Sequence, residues 1–250
     1  MEDPAELVRF YDAAYTQSPP QAALYARWRA LGAVGKADHV IELCVRAGVR
    51  PERTLEVGCG DGALLSELHR RGFGGELSGV EITEAAVDIA GGRAEIASVE
   101  LYDGAHLAAA DGAYGLGILS HVLEHVPDPA ALLAEVGRAC GAVLVEVPLE
   151  ANVSARRAAK REHAAEVGHL QRLDRDAARA IVAGAGMRVA AELDDPLPLE
   201  VHRFFARTPR ARGLGAAKWA LRRSAHMICA PLARRAFTVH YACLCLPPDA

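Results

Sequence analysis

A chain of 250 residues is long enough to bury one large core, and α/β proteins of this length commonly form a single domain. Its composition of 51% hydrophobic and 24% charged residues excludes a disordered or fibrous chain. The formal net charge of −4 argues against a nucleic-acid-binding domain, because such a domain needs a broad positive surface to neutralise phosphates.

The first residues, MEDPAELVRFYDAAY, have neither the basic start nor the apolar centre of a signal peptide. No run approaches the ~20 apolar residues that a membrane-spanning helix needs. The six cysteines lack metal-finger spacing, so free thiols in a reducing compartment are expected. We therefore expect a cytoplasmic protein without a membrane span.

The N-terminal region predicts helices, because Leu24, Trp28 and Leu31 recur at steps of three and four residues. Pro19 and Pro20 divide this region into two pieces. We predict an N-terminal helical cap over residues 1–50 and a larger domain over residues 51–250.

From Arg53 onward, short apolar runs alternate with longer amphipathic ones. The short runs are RTLEV, ELSGVEI, VELYDG, YGLGILSH, AVLVEVPLE, MRVAAEL and FTVHYACLCL. This alternation is typical of βαβ units. It predicts an α/β protein with a Rossmann-like, seven-stranded, mostly parallel sheet and helices on both faces.

A basic helical insertion of about residues 205–236 precedes the last predicted strand. Residues 207–235 contain eight Lys or Arg residues and no Asp or Glu. The favoured interpretation is the solvated face of a lid or packing helix. A surface for an anionic substrate or for a membrane is the alternative.

The stretch TLEVGCGDGALLSELHRRG places Gly58, Gly60 and Gly62 between a strand and a helix. Glycine lets the backbone approach a ligand closely, and a helix N-terminus offers free N–H groups. The spacing is G-x-G-x-G, whereas loops that wrap a pyrophosphate use G-x-G-x-x-G. With Glu56 before the loop, we expect a ligand without a pyrophosphate that carries a cationic or amino-acid part.

Acidic residues also end the next two predicted strands. Glu81 ends ELSGVEI, where a carboxylate can accept hydrogen bonds from both ribose hydroxyls. Asp103 and Gly104 end the third run, where they could hold an adenine amino group. One such acid could be a helix cap or a surface charge, but three at successive strand ends argue against coincidence.

These motifs resemble those of class I S-adenosylmethionine (SAM)-dependent methyltransferases over roughly residues 50–195. EVGCGDG matches the first motif, GVEIT the ribose-binding acid and YDG the adenine-contacting acid. The resemblance implies a SAM-dependent enzyme whose last strand is inserted antiparallel into the sheet. The cofactor contacts it implies are Glu56, Gly58, Cys59, Gly60, Glu81, Ile82, Asp103, Gly104 and Ser120.

The segment SHVLEHVPDP follows the fourth predicted strand and places His121, Glu124 and His125 on one helix face. The pattern H-x-x-E-H also matches an inverted zinc-protease motif, but Pro127 and Pro129 interrupt the long helix that this motif needs. The favoured interpretation is structural: the Glu-His pair packs the loop and the aspartate caps the next helix.

The functional alternative is a metal site. The segment is similar to the Glu-x-x-Glu-His segment of ubiquinone-pathway and small-RNA 2′-O-methyltransferases, which holds a divalent ion together with a later histidine. This similarity implies His121, Glu124, His125 and His169 as ligands. A set rich in imidazole favours zinc, manganese or iron over magnesium.

Methyl transfer from a sulfonium is an in-line displacement, so the enzyme must align the acceptor and exclude water. A hydroxyl acceptor also needs a base or a cation. We predict His169 and His121 as catalytic residues, with His163 as a further candidate. The expected acceptor is a hydroxyl of a small molecule such as a specialised metabolite or sugar, with an amine second.

Three other functions stay open. They are RNA 2′-O-methylation, noncatalytic SAM binding and nicotinamide-dependent oxidation, although nucleic acid is disfavoured by the net charge. The sequence carries no signal for the oligomeric state.

Overall fold

The computed structural model describes residues 4–248. Its helices are α1 (Pro4–Tyr15), α2 (Pro19–Ala47), α3 (Ala63–Arg70), α4 (Glu84–Gly91), α5 (Pro129–Ala139), α6 (Ala158–Glu166), α7 (Arg175–Gly184), α8 (Leu199–Arg203) and α9 (Pro209–Ala236). Its strands are β1 (Arg53–Val57), β2 (Glu76–Glu81), β3 (Ser98–Leu101), β4 (Leu116–Ser120), β5 (Val143–Pro148), β6 (Arg188–Asp195) and β7 (His240–Leu246). Two 3₁₀ turns cover Leu123–His125 and Ser154–Arg156.

The seven strands form one sheet in the order β3-β2-β1-β4-β5-β7-β6. Strand β7 is antiparallel to both of its neighbours, and the other pairs are parallel. The predicted Rossmann-like, mostly parallel sheet with an inserted antiparallel last strand is confirmed. Because β7 runs in the opposite direction, its first residue, His240, pairs with Pro148 at the end of β5.

Each face of the sheet is covered by helices, as the unbroken burial of β4 and β5 requires. On one face, Val40 and Leu43 of α2 pack with Leu65 of α3. On the other face, Leu133 of α5 and Val182 of α7 join the core. Burial of apolar surface contributes roughly 25 cal/mol per Å² to stability. Packing on both faces therefore holds the strands, and with them the strand ends, in place.

The N-terminal helices divide where the sequence predicted. Pro19 occupies the first turn of α2, where its missing N–H costs nothing, and Gly48 ends this helix in the left-handed region at φ 73°. The buried side of α2 lies on the sheet. The division into a cap over residues 1–50 and a domain over residues 51–250 stays a prediction.

The predicted basic insertion forms α9, and the short helix α8 ends just before it. Pro231 lies inside α9, and the helix is interrupted nearby at Cys229, whose φ of −156° and ψ of 89° are not helical. Proline removes a backbone donor and clashes with the preceding turn, so an interruption here is expected. Within residues 4–248, no helix has the length and apolar character needed to cross a membrane.

Candidate active site

The carboxyl ends of β1, β2, β4 and β5 meet at one edge of the sheet, and β7 begins at the same edge. In open α/β sheets, ligands bind outside this edge. The predicted cofactor residues lie at the ends of β1, β2 and β4 or in the loops after β1, β2 and β3, and the predicted metal ligands lie after β4 and, for His169, after α6.

The glycine loop after β1 needs glycine for two reasons. Gly58, Gly60 and Gly62 have φ values of 73°, 57° and 73°, in the left-handed region that disfavours side chains. A Cβ atom at Gly60 would also lie 2.7 Å from Oη of Tyr15. The loop is therefore a tight backbone surface covered by α1.

Glu81 connects this loop to the end of β2. Its Oε2 accepts a hydrogen bond from the backbone N–H of Gly60 at 3.0 Å, and its Oε1 accepts one from Ile82 at 2.7 Å. Burial raises the pKa of Glu81, although these N–H donors oppose the rise. The structure thus places the predicted ribose-binding acid directly against the predicted loop.

Two buried polar atoms beside the loop have no hydrogen-bond partner among the residues that the structure describes. They are Oε2 of Glu56 in β1 and Oγ of Ser120 in β4. Burial raises the pKa of Glu56 to about 8. Buried polar groups are normally paired, so these atoms fit a ligand that brings its own polar and cationic groups. The residues present therefore fit an adenosyl amino-acid cofactor.

Cys59 differs from the other loop residues. Its side chain is buried in the core, and a Cβ atom at Gly79 would lie 2.6 Å from its Sγ. Any contact between Cys59 and a cofactor is thereby limited to its backbone. Burial also raises the pKa of the thiol, which keeps it protonated.

Asp103 shapes the loop after β3. Its Oδ1 accepts hydrogen bonds from the backbone N–H groups of Ala105 and His106, and these bonds lower its pKa to about 2. Gly104 has a φ of 86°, and a Cβ atom there would lie 3.6 Å from Cγ2 of Ile82. Ile82 and Gly104 thus lie close together beside an exposed acid.

Three residues that the sequence did not single out stabilise the glycine loop: Asp61 lies within it, and Tyr15 and Arg29 cover it. Nε of Arg29 lies 2.8 Å from Oδ2 of Asp61, and its guanidinium lies 5.0 Å from the ring centre of Tyr15. Asp61 stands inside the motif GCGDG, so its position carried a signal. Tyr15 and Arg29 carried none, because their role depends on how α1 and α2 fold back over the loop.

The segment after β4 forms a single 3₁₀ turn, Leu123–His125, where the spacing had predicted a helix face. Asp128 then caps α5 by accepting a hydrogen bond from the backbone N–H of Ala131 at 3.0 Å. The capping role predicted for this aspartate is confirmed. Pro127 follows the turn and cannot donate a backbone hydrogen bond to extend it, and Pro129 begins α5, where its missing N–H costs nothing.

Glu124, His125 and His169 come together as the 124–125–169 cluster, in which one ligand atom of each residue lies within 4.8 Å of the others. Nδ1 of His125 lies 2.6 Å from Oη of Tyr11. Nδ1 of His169 lies 2.7 Å from Oε2 of Glu150. Each imidazole is therefore held through one nitrogen, which leaves its Nε2 available.

His121 meets this cluster only through Glu124, because its Nδ1 lies 3.0 Å from Oε1 of Glu124. Its Nε2 faces His240, whose Nδ1 lies 3.3 Å away. His163 lies on α6 with its side chain 63% exposed, beside Glu166. The structure thus brings three of the four predicted metal ligands together directly and leaves His163 facing solvent.

An open sheet of this order, with a glycine loop and acids at successive strand ends, defines a class I methyltransferase fold. The chain belongs to the methyltransferase domain family, whose profile matches residues 25–192. The predicted membership of a methyltransferase family is thereby confirmed.

Curated relatives are O-methyltransferases. The ubiquinone biosynthesis O-methyltransferase of Thiobacillus denitrificans is 33% identical over 102 residues, which cover 37% of this chain and 41% of the relative. The enzyme of the same name from Albidiferax ferrireducens is 29% identical over 150 residues, covering 57% of this chain and 54% of the relative. The chain thus spans about half the length of these relatives.

Solved structures share the fold at low identity. Haemonchus contortus phosphoethanolamine N-methyltransferase 2, in complex with phosphomonomethylethanolamine and S-adenosylhomocysteine, gives a TM-score of 0.66 at 14% identity, over 97% of this chain and 60% of that chain. Geranyl diphosphate C-methyltransferase from Streptomyces coelicolor gives 0.62 at 15% identity, over 85% and 76%. The first of these enzymes is named an N-methyltransferase and the second a C-methyltransferase. The shared fold therefore leaves the acceptor atom open.

Proposed function

We propose that this protein transfers the methyl group of SAM to a hydroxyl oxygen of a small molecule. The observation that carries the proposal is the presence of the glycine loop with Glu81 and of the 124–125–169 cluster at the same edge of the sheet. The O-methyltransferase names of the curated relatives support oxygen as the acceptor atom.

The cofactor would be held by the strand ends. Glu81 would bind the ribose hydroxyls, and Ile82 and Gly104 would flank the adenine. Glu56 would face the amino-acid part, where a cationic ammonium would satisfy its unpartnered oxygen. SAM supplies a methyl group activated by the sulfonium, so no protein nucleophile is needed.

His169 would act on the acceptor. Glu150 accepts from its Nδ1 and so fixes the tautomer, which leaves the lone pair of Nε2 to take the hydroxyl proton. The side chain of His169 is only 12% exposed. Bulk water is thereby largely kept from the base.

The 124–125–169 cluster also fits a divalent cation. Oε2 of Glu124 is buried without a partner in the described part of the chain, and both imidazoles keep a free nitrogen. Glu124, His125 and His169 would hold the ion, which when bound would lower the pKa of a hydroxyl placed on it. Two measurements separate the roles of His169: activity retained after chelation assigns it as a base, and loss of metal binding at this cluster in a His169→Ala variant assigns it as a ligand.

The first 50 residues would form a cap on the cofactor. Tyr15 lies against Gly60, and Arg29 holds Asp61 within the glycine loop. The cap would therefore cover the cofactor while the acceptor enters from the side of the histidines. The cytoplasmic location and the boundary at residue 50 are part of the same proposal.

The test is a methyl-transfer assay that measures S-adenosylhomocysteine formation with hydroxyl-bearing small molecules, amine-bearing small molecules and RNA. The expected result is turnover with a hydroxyl-bearing small molecule and mass gain of one methyl group on oxygen. Turnover confined to amines or to RNA would contradict the proposal while leaving the family assignment intact.

A further inference from the structure

A second group of ligand atoms lies beside the 124–125–169 cluster. Nε2 of His121, Oε1 of Glu146 and Nδ1 of His240 form the 121–146–240 triangle. The two nitrogens are 3.3 Å apart, and the carboxylate oxygen lies 3.5 Å from His121 and 3.4 Å from His240. These residues come from the ends of β4, β5 and β7, so the sheet itself fixes their positions.

The size of the triangle matches a metal site better than a hydrogen-bonded group. Charge-assisted N–H···O bonds are about 2.7–2.9 Å long, so the two contacts to the carboxylate oxygen are too long. Tetrahedral zinc binds nitrogen and oxygen at ~2.0–2.2 Å, which separates neighbouring ligand atoms by about 3.4 Å. All three sides of the triangle agree with that separation.

Glu146 supplies an independent observation. Its side chain is only 1% exposed, and its Oε1 has no hydrogen-bond partner within residues 4–248. An unpaired, fully buried carboxylate oxygen is costly unless something positive meets it. The two groups that face this oxygen, His121 and His240, lie 3.5 Å and 3.4 Å away, so a cation bound between all three would meet it more closely.

The atoms of His121 and Glu146 that lie outside the triangle already have hydrogen-bond partners. Nδ1 of His121 faces Oε1 of Glu124 at 3.0 Å; because an ionised carboxylate only accepts, Nδ1 carries a hydrogen, and Nε2 is the atom through which the neutral imidazole would bind a metal. Nδ1 of His39 lies 3.1 Å from the other oxygen of Glu146. Outer contacts of this kind orient metal ligands.

The backbone of His121 is also constrained. Its φ is 58°, a left-handed conformation that is uncommon for residues other than glycine. Its N–H donates to the carbonyl of Glu146 at 2.8 Å, which ties the strained residue to β5. Unusual backbone conformations of this kind are concentrated at functional sites.

We propose that His121, Glu146 and His240 form a binding site for a divalent transition metal of the zinc type, distinct from the 124–125–169 cluster. Two histidines and one glutamate leave the fourth tetrahedral position open, as in zinc sites that keep a water or substrate oxygen. His121 and His240 are 23% and 20% exposed, so an oxygen ligand reaches that position from solvent. The site does not depend on the methyl-transfer proposal.

The test uses untagged, full-length protein freed of metal by chelator and then titrated with Co²⁺, whose visible absorption reports tetrahedral coordination. The double variant H125A/H169A removes two ligands of the neighbouring cluster. We expect this variant to bind one equivalent of Co²⁺ with a tetrahedral spectrum that Zn²⁺ abolishes. Adding H240N should weaken Co²⁺ binding at least 100-fold, and adding H163A, on exposed α6, should change nothing.

A second variant tests the site without removing any of its ligands. H39N leaves all three ligands in place and removes the contact that orients Glu146, so Co²⁺ affinity should fall about 10- to 100-fold. Circular dichroism spectra and melting temperatures identify variants that remain folded. Absence of tetrahedral Co²⁺ in H125A/H169A, or equally tight binding after adding H240N to that folded variant, would overturn the proposal.

Discussion

Oε2 of Glu81 accepts a hydrogen bond from the backbone N–H of Gly60 at 3.0 Å, although the two residues lie 21 positions apart. The bond joins the loop after β1 to the end of β2. One carboxylate therefore both shapes the glycine loop and faces the place where a ribose would lie. Changes at Glu81 should affect cofactor binding more than they affect the fold.

Replacing Glu81 with Gln should weaken S-adenosylhomocysteine binding about 10- to 100-fold, because charged hydrogen bonds contribute about 1.5–3 kcal/mol. Isothermal titration calorimetry measures the affinity. Glu100→Gln, on the exposed side of neighbouring β3, is the matched control and should bind normally. Equal affinities of the Glu81 and Glu100 variants for S-adenosylhomocysteine would show that Glu81 does not contact the cofactor.

Replacing His169 with Ala should lower kcat by a factor of about 10² to 10⁴, the range typical of a lost general base. The affinity for S-adenosylhomocysteine should change less than threefold, since His169 lies in the cluster and not at the glycine loop. His163→Ala is the control, because that side chain faces solvent. A parallel loss of turnover and cofactor affinity in H169A would argue for a structural role.

The strand ends could be predicted because the residues that identify each one lie next to each other in the sequence. A buried run followed by glycines and an acid identifies the end of β1, and Glu81 closes the next run in the same way. Parallel strands place these ends together without further information. The sheet and the cofactor edge were therefore accessible from the sequence.

His240 and Glu146 were not found, since their meeting depends on the register of β7. The run FTVHYACLCL was predicted as the inserted antiparallel strand, and that direction alone would have put its first residues at the cofactor edge. The histidine at its start was the available signal. Glu146 had none, because it lies inside a continuous apolar strand.

Replacing Arg29 with Gln should lower the free energy of unfolding by about 1–3 kcal/mol, because it leaves the buried carboxylate of Asp61 without its main partner. Adding Asp61→Asn should recover part of this loss. Urea unfolding measures the free energy of unfolding of each single variant and of the double variant. Arg27→Gln, on the exposed side of α2, is the control. Additive effects of the two substitutions would show that Arg29 and Asp61 are not coupled.

Glu192 should make stability depend on pH. Burial opposes its ionisation, but Arg179, Tyr241 and Arg175 outweigh burial and hold its pKa at about 2. The unfolded chain, with an ordinary value near 4.5, binds more protons between these values, so stability falls as pH drops from about 4.5 toward 2.

Glu192→Gln should flatten this dependence by up to about 1.4 kcal/mol per pH unit, the effect of one proton. Urea unfolding at intervals between pH 3 and pH 6, near physiological salt, measures the slope. Glu200→Gln, at an exposed position, should keep the native slope. An unchanged slope in the Glu192 variant would show that this carboxylate is not held in its charged form by the fold.

Calorimetric titration of the folded protein with S-adenosylhomocysteine, compared with NAD, tests the cofactor edge most directly. The glycine loop and Glu81 should give saturable binding of one S-adenosylhomocysteine per chain and no binding of NAD. Saturable binding of NAD, or no heat with S-adenosylhomocysteine from protein whose melting curve shows that it is folded, would contradict a SAM site at this edge.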